Sequence, residues 1–336
     1  MPFQDLIGHH RQKALLRSAI RQDRLAHAYL VHGEAAIGKR SMAVLFAQAI
    51  NCETEAAEPD ACGTCRSCHQ ILARTHPDCV FIEQDPEQAT PQIKIEQIRQ
   101  IDQQIIYRPL MARRKVCLID DADRMTLSAA NALLKTLEEP PDHSLFVLVS
   151  SRPLALPATI WSRCQGVRFA PPPRAEVEAA LIRGRQLPAT DARFLAMLTQ
   201  ARIGEALTMD VQEARARQQE FFALTSRQML RSVAALLAAA ESLAKSDRTP
   251  EALLWLAQWL RDVTLVQMGS ETDLLLNSDR LSELREAAQR LDPDALIDLQ
   301  TRIEGMQRTA TRNLNPQLAL ESILLELRDA SLAEAK

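Results

Sequence analysis

The sequence predicts an α/β domain with a parallel, doubly wound sheet, followed by all-α domains. Continuous apolar runs, typical of buried parallel strands, alternate with helical segments as far as about residue 168. After the proline-rich connector "APPPRAE" at 170–176, apolar residues recur with helical spacing to the C-terminus. The predicted domains are therefore residues 1–168, a small helical domain at 169–210 and a helical bundle at 211–336.

The composition is that of a globular protein rather than a membrane or fibrous one. Hydrophobic residues make up 46% of the 336-residue chain, and the net charge of −3 excludes a broadly basic nucleic-acid binder. No apolar run approaches the roughly 18 residues that span a membrane, and the N-terminus lacks the features of a signal peptide. We expect a cytoplasmic protein whose seven cysteines are thiols or metal ligands.

The elements of the α/β domain follow one another clearly. "AHAYLVHG" at 26–33 predicts a strand, and "RSMAVLFAQAI" at 40–50 predicts the helix after it. "KVCLIDDAD" at 115–123 and "SLFVLVSS" at 144–151 predict two further buried strands. Between them, "LSAANALLKTLEEPP" at 127–141 has apolar residues at i, i+3, i+4 and i+7 and ends at paired prolines, which predicts a helix.

The segment "HGEAAIGKRS" predicts a phosphate-binding loop. Gly33, Gly38 and Lys39 complete the pattern G-x-x-x-x-G-K. A strand, a glycine turn and a helix start form an anion cradle, to which the lysine adds a charge. Arg40 stands where a Ser or Thr would help to hold Mg²⁺, and Ser41 lies about 100° further around the helix. An ordinary strand-to-helix turn is the alternative.

Two acids complete the predicted nucleotide site. Asp120 and Asp121 end a predicted strand, where an open α/β sheet binds its ligands. One acid in this place holds Mg²⁺ and a following acid can activate water, although a solvated strand end is the alternative. An Asp at the second position would fall about 1.5 Å short of a Glu, an error that can cost ~100-fold in rate. We therefore predict a degenerate site that holds Mg²⁺ poorly; whether ATP or ADP binds stays open.

Four cysteines predict a structural zinc site. Cys52, Cys62, Cys65 and Cys68 have the spacing C-x9-C-x2-C-x2-C within a module at about 51–69. Four thiolates form a closed tetrahedral shell for zinc. A redox C-x-x-C pair or an iron–sulfur cluster is the alternative, and neither explains all four cysteines so simply.

The remaining cysteines and the nearby histidines predict no further site. His69 and His76 lie close to the module, but four cysteines already complete a zinc shell, so both are expected to be ordinary surface or core residues. Cys79, Cys117 and Cys164 lie in apolar surroundings, where buried inert thiols are expected.

Several segments together resemble one family. These are "FQDLIGHHRQKALLRSAIRQDRLAHAYLVHG", "NALLKTLEEPP", "SRC" at 162–164 and the four-cysteine insertion. They resemble the AAA+ module of bacterial DNA polymerase III clamp-loader subunits over residues 3–210, and "NLNPQLALESILLEL" extends the resemblance. It implies a nucleotide-fold domain with a zinc module, a helical lid domain and a C-terminal collar domain used in oligomerisation.

The family contains an ATP-hydrolysing subunit, gamma or tau, and a related subunit usually described as hydrolytically inactive. Three positions depart from the active pattern: Arg40, Asp121 and Gly204, the last standing in "ARIGEAL" where active members carry a nucleotide-sensing Arg. The long C-terminal extension expected of tau is also missing. The resemblance thus favours the inactive subunit, a part of the polymerase holoenzyme without polymerase activity of its own.

Arg163 of the SRC motif has two interpretations. From the bare sequence it is a surface or capping arginine, whereas the resemblance implies a finger that reaches the nucleotide of a neighbouring subunit. The implied partners are the gamma or tau ATPase subunits and the delta subunit, with the sliding clamp and primed DNA reached through the assembly. Trp255 and Trp259 lie on apolar C-terminal helices that serve either oligomeric packing or a self-contained core.

Two other functions compete with this hypothesis. The first is an active clamp-loader ATPase whose phosphate loop tolerates Arg40. The second is a zinc-containing nucleic-acid-binding module that uses the locally basic "RPLMARRK" at 108–115, a segment that an ordinary solvated loop also explains.

Overall fold

The computed structural model describes residues 2–54, 58–84, 91–309 and 315–332. Residues 55–57 of the predicted zinc module and residues 310–314 of the predicted collar domain lie outside these ranges. The chain clusters into two compact units, Met1–Thr208 and Met209–Lys336. Within the described ranges, no helix is both long and apolar enough to cross a membrane.

The first unit is built on a five-stranded parallel sheet. Its strands are β1 (Ala28–His32), β2 (Cys79–Ile82), β3 (Lys115–Ile119), β4 (Ser144–Ser150) and β5 (Gln165–Arg168). They are arranged in the order β2-β3-β4-β1-β5, so the first strand of the chain is nearly central. Leu30 of β1 pairs with Leu148 of β4, which in turn pairs with Ile119 of β3.

Helices cover both faces of this sheet. They are α1 (His10–Arg21), α2 (Lys39–Ile50), α3 (Arg66–Leu72), α4 (Ile95–Ile105), α5 (Leu127–Glu138) and α6 (Ala158–Trp161). Alternate residues along a strand point to opposite faces. Val31 accordingly packs with Phe46 of α2 on one face, whereas Leu30 packs with Leu133 of α5 on the other. The predicted doubly wound α/β fold is confirmed.

Three more helices and several short turns complete the first unit. The helices are α7 (Arg174–Arg185), α8 (Ala189–Leu198) and α9 (Ile203–Thr208). Short 3-10 turns lie at Phe3–Asp5, Ala122–Arg124 and Pro153–Ala155. The prediction placed a helical segment after the connector at 170–176, and α7 begins within that range at Arg174, directly after Pro173.

Two strands were not predicted from the sequence. β2 and β5 each have only four residues, too few for a clear apolar or alternating pattern. β5 lies at the edge of the sheet and buries only Val167, which explains its polar sequence. The predicted strand at 115–123 ends at Ile119, because Asp121 has a left-handed backbone conformation and begins a 3-10 turn.

The second unit contains helices and no strand in the part of the chain that the structure describes. Its helices are α10 (Val211–Thr225), α11 (Arg227–Leu230), α12 (Val233–Lys245), α13 (Thr249–Gln267), α14 (Leu281–Arg290), α15 (Pro293–Thr309) and α16 (Pro316–Leu332), with 3-10 turns at Thr272–Leu274 and Ser278–Arg280. Trp255 and Trp259 are buried in its core, where Trp255 packs against Phe221 and Phe222. The two tryptophans therefore belong to a self-contained core.

Candidate functional site

The phosphate loop has the geometry that its glycines predict. Gly33 follows β1 with φ +151°, and a Cβ there would lie 2.3 Å from the carbonyl oxygen of Phe169. Gly38 caps α2 with φ +98°, a conformation that favours glycine. The loop therefore connects strand and helix in the shape of an anion cradle.

Lys39 is buried at the start of α2. Its Nζ donates to the Ser151 hydroxyl at 3.1 Å and to the Glu34 carbonyl oxygen. Burial lowers the pKa of Lys39, while the nearby carboxylates of Asp120 and Asp121 act in the opposite direction. The lysine thus points into the loop that it is predicted to serve, within reach of the strand ends.

Arg40 is bound to the acids of the site. Its Nε lies 3.3 Å from Asp120 Oδ2, and its Nη2 donates to Glu83 Oε1. A second arginine, Arg74, also contacts Glu83 Oε1, at 2.8 Å. A guanidinium thus lies against the carboxylates that follow β2 and β3.

The two predicted acids differ in their surroundings. The pKa of Asp120 is raised, because burial and the neighbouring charge of Asp121 outweigh the opposite effect of Arg40. Asp121 accepts a hydrogen bond from Gln84 Nε2 at 2.9 Å. Both acids line the same cavity as Lys39, so the structure brings together the predicted phosphate loop and its acidic partner.

A third acid, Asp123, organises the end of β4. Its Oδ1 accepts from the Ser150 hydroxyl at 2.7 Å and from the Ser151 N–H at 3.0 Å, and its Oδ2 accepts from Arg152 Nε at 3.1 Å. Burial alone would raise the pKa of Asp123, but these hydrogen bonds outweigh it and lower the pKa. Asp123 thereby fixes Ser151, which contacts Lys39.

Four residues of this site were not predicted from the sequence: Asp123, Ser151, Glu83 and Gln84. Glu83 and Gln84 follow β2, a strand that was not predicted, so the strand-end rule could not be applied to them. Asp123 and Ser151 each end a segment that was predicted, and that position was the available signal.

A cavity of about 610 Å³ extends from the phosphate loop. Its apolar wall includes Leu6 and Ile7 from the N-terminal segment and Ile203 and Leu207 from α9. Ser41, which is exposed, also lines it. Such a mixture of apolar walls and a few convergent charges is typical of a small-molecule site.

Gly204 closes against the phosphate loop. Its N–H donates to the Ala36 carbonyl oxygen at 2.7 Å. A Cβ at Gly204 would lie 2.9 Å from that oxygen, closer than Cβ atoms are found. The contact depends on the absence of a side chain, so the place where a nucleotide-sensing Arg is expected is occupied by a backbone contact.

Arg163 lies at the amino-terminal end of the parallel strands, whereas the phosphate loop lies at their carboxyl-terminal end. It precedes the start of β5, whereas Lys39, Asp120 and Ser151 follow the carboxyl ends of β1, β3 and β4. All strands are parallel, and a four-residue strand spans about 13 Å, so the two groups are separated by the sheet. Arg163 does not line the cavity of its own chain.

The four predicted metal ligands come together. The Sγ atoms of Cys52, Cys62, Cys65 and Cys68 all lie within 4.8 Å of one another. Four sulfurs at 2.3 Å from one tetrahedral zinc ion are about 3.8 Å apart, and the Cys62 and Cys68 sulfurs are separated by 4.0 Å. Backbone N–H groups also point at these sulfurs, for example Cys65 N at 3.2 Å from Cys62 Sγ. The donor set and its spacing fit a metal ion.

The cysteine module contacts the N-terminal segment and helix α2. Asp60 accepts from the Phe3 N–H at 2.7 Å and pairs with Arg17 at 2.6 Å, which anchors the segment leading to the N-terminal wall. On the other side, Gln48 Nε2 donates to the Cys68 carbonyl oxygen at 2.6 Å. Gln48 itself lines the cavity.

The other cysteines and histidines match their expected environments in all but one case. Cys79 and Cys117 are buried, whereas Cys164 is only half-buried. Burial raises the pKa of Cys79 and of Cys164 to about 12. His69 is exposed, and His76 is buried.

The basic segment at 108–115 is an ordered loop as far as Arg114, and Lys115 begins β3. Buried Asp78 accepts hydrogen bonds at 2.8–2.9 Å from the backbone N–H groups of residues 110–112. The side chains of Arg108 and Arg113 are exposed. The loop conformation is therefore set by a carboxylate beneath it.

Comparisons with known proteins assign the family. Residues 8–173 match the family described as "DNA polymerase III, delta subunit", and residues 212–329 match its C-terminal counterpart. DNA polymerase III subunit delta' of Pseudomonas aeruginosa is 32% identical over 312 residues, which cover 90% of this chain and 91% of that protein. The chain belongs to the delta prime family of DNA polymerase III subunits. The resemblance found in the sequence is thereby confirmed.

The extent of similarity to other relatives differs between delta prime and tau subunits. Subunit delta' of Bacillus subtilis is 30% identical and covers 95% of this chain and 96% of its own length. Subunit tau of Escherichia coli is 39% identical, but only over 163 residues, which are 48% of this chain and 24% of tau. The likeness to tau is confined to part of the chain, whereas the likeness to delta prime includes both units.

Proposed function

We propose that this chain is a clamp-loader subunit that scaffolds the complex, hydrolyses little or no ATP and donates Arg163 to a neighbouring ATPase subunit. Its partners are the gamma or tau subunits and the delta subunit, in the cytoplasm. Through the assembled complex it contributes to opening the sliding clamp and loading it onto primed DNA. Membership of the delta prime family supports this assignment.

The proposed loss of ATP hydrolysis is inferred chiefly from the position of Arg40. Hydrolysis by this fold needs Mg²⁺ beside the phosphates to neutralise developing charge. The Arg40 guanidinium lies against Asp120 and Glu83, so the acids already have a cationic partner. A divalent cation would have to displace it and would then be repelled by it. The tethered cation thus takes the place of the catalytic metal.

Two further features support an inactive site. Asp121 is bonded to Gln84 and is shorter than the Glu that would activate water. Gly204 supplies a backbone contact to the phosphate loop in place of a sensing Arg. The loop glycines and Lys39 keep the shape that binds phosphate, so we propose that any ATP or ADP bound here is bound without a well-held Mg²⁺.

The position of Arg163 supports a role in trans. It lies at the amino edge of the sheet, away from the cavity at the carboxyl edge. A guanidinium there is available to another subunit and can stabilise charge on a transferring phosphoryl group.

We propose zinc as the occupant of the four-cysteine site, in a structural role. Four thiolates with no open coordination position favour a structural zinc ion over a catalytic one. Bound there, the metal would hold the module that contacts the N-terminal segment and Gln48 of α2.

The complex reconstituted with its ATPase partner tests the proposal. We expect Arg163→Ala to assemble normally but to lower clamp- and DNA-stimulated ATP hydrolysis by ~1,000-fold per site served by the finger. Arg21→Ala, at the exposed end of α1, is the matched control and should change nothing. Unchanged hydrolysis in the Arg163 variant would exclude the finger, and steady turnover by the isolated chain that is lost in Lys39→Ala would establish an active ATPase instead.

A further inference from the structure

Arg163 is held on its own chain by three acceptors. Its Nη2 lies 2.7 Å from Glu138 Oε1, and its Nη1 donates to the Thr159 carbonyl oxygen at 3.0 Å and to the Ser162 hydroxyl at 3.2 Å. These bonds use three of the five N–H donors of a guanidinium. About a third of the side-chain surface is accessible, so the remaining donors can meet an oxyanion from outside the chain.

Glu138 lies on a helix that is packed firmly against the core. It is the last residue of α5, whose side chains Leu133 and Leu137 are buried in the core beneath it. Arg163, by contrast, follows the four-residue helix α6. A long arginine side chain without a partner would sample many rotamers, and each ordered contact reduces that freedom. The carboxylate therefore supplies a fixed point for a group on a short element.

We propose that Glu138 is a positioning residue for Arg163, an inference that rests on the proposed finger function. Glu138 holds Nη2 while Thr159 and Ser162 hold Nη1, which fixes the plane of the guanidinium at the edge of the sheet. The pair is 33% and 51% exposed, so its attraction is weakened by water. A nucleotide phosphate with more than one negative charge can therefore bind the same guanidinium. The carboxylate orients the finger without sequestering it.

Steady-state ATP hydrolysis by the reconstituted complex, stimulated by clamp and primed DNA, tests this role. We expect Glu138→Ala to lower kcat by about tenfold, less than the ~100-fold that a 1 Å misplacement can cost, because Thr159 and Ser162 still hold Nη1. The KM for ATP should stay within about twofold, since the finger acts on the transition state more than on binding. Glu138→Gln keeps an oxygen acceptor of the same length and should recover part of the rate.

Two controls separate positioning from a structural effect. Glu139→Ala removes the adjacent exposed acid and should leave hydrolysis unchanged. In an Arg163→Ala background, Glu138→Ala should cause no further loss, because a positioning residue has nothing left to position. A further loss in that background would show that Glu138 acts through the fold, and would overturn the inference.

The outcomes also separate this inference from the proposed function. If Arg163→Ala abolishes the stimulated rate while both Glu138 variants hydrolyse ATP normally, positioning is wrong and the finger stands. If Arg163→Ala has no effect, the finger is excluded and positioning with it. If Glu138→Ala does not assemble, Glu138→Gln carries the test: a kcat equal to wild type refutes the role, and a reduced kcat that depends on Arg163 supports it.

Discussion

Replacing Arg40 with serine restores the hydroxyl that the phosphate-loop pattern lacks and removes the guanidinium from the acids. In the present chain, Arg40 Nε lies 3.3 Å from Asp120 Oδ2, so a Mg²⁺ ion on Asp120 would lie close to a positive charge. We predict that nucleotide binding by the wild-type chain gains nothing from Mg²⁺, whereas Arg40→Ser makes it dependent on Mg²⁺.

The size of the effect follows from the separation of the charges. Two unit charges 4 Å apart interact by about 4 kcal/mol at an effective dielectric constant of 20, and a divalent ion doubles this to ~8 kcal/mol. The Arg40 side chain is 44% exposed and can swing into water, so we discount the repulsion to about 3 kcal/mol. At about 1.4 kcal/mol per factor of ten, this predicts a change of ~100-fold in affinity for Mg²⁺–ATP.

Calorimetric titration of ATP in Mg²⁺ and in EDTA measures this directly. Arg40→Ser should bind ATP about 100-fold more tightly in Mg²⁺ than in EDTA. Arg40→Lys is the matched control, because it keeps the charge without supplying a metal ligand, and its affinity should be the same in both buffers. If the lysine and serine variants respond to Mg²⁺ alike, or if the wild-type chain already binds Mg²⁺–ATP preferentially, the charge of Arg40 is not what excludes the metal.

Three further predictions concern the metal, a buried acid and the loop glycine. With zinc as the proposed occupant, Cys65→Ser should bind less zinc than the wild-type chain and should lower the thermal midpoint of unfolding by about 4 °C or more, whereas Cys164→Ser should match the wild type in zinc content; an equal metal content in the Cys65 variant and the wild type, measured by atomic absorption, would contradict the four-thiolate site. Asp78→Asn should lose about 2 kcal/mol in urea unfolding at pH 7. Burial alone would raise the pKa of Asp78, but its hydrogen bonds lower it below the ordinary value, so the loss should be full above about pH 4 and should shrink as pH falls through the folded-state pKa; equal stability of the two proteins at pH 7 would refute this. Gly33→Ala, which places a Cβ 2.3 Å from a backbone carbonyl oxygen, should lose at least ~2 kcal/mol, while Gly184→Ala, with open space around it, should gain up to about 1 kcal/mol; similar unfolding midpoints for the two variants would count against the steric requirement at Gly33.

The sequence predicted those parts of the site that depend on neighbouring residues. The spacing of Gly33, Gly38 and Lys39 predicted a loop whose backbone conformation the structure confirms at both glycines. Asp120 was found because it directly follows Ile119, the end of a fully buried strand. Glu83 was missed because β2 has only four residues and gives no periodic pattern.

The end of helix α5 was predicted correctly and strand β5 was missed, and both outcomes have a local cause. The helix at 127–141 was predicted to end at paired prolines, and α5 ends at Glu138, just before them. β5 was missed because an edge strand needs only one buried side chain, Val167, and its polar sequence resembles a loop. Predictions thus succeeded where burial or backbone restriction acts on consecutive residues, and failed where an element is short.

The sequence by itself determined the fold class, the phosphate loop and the four-cysteine cluster, since each depends on spacing within one short stretch of chain. Only the tertiary structure decided that Arg40 lies against Asp120 and Glu83, because β2, β3 and α2 must first be placed side by side by the order of the strands. The same holds for Arg163, which is 25 residues from its partner Glu138 and is brought to it by the start of β5 and the end of α5. Strand order is set by packing over the whole sheet, and no local pattern of residues specifies it.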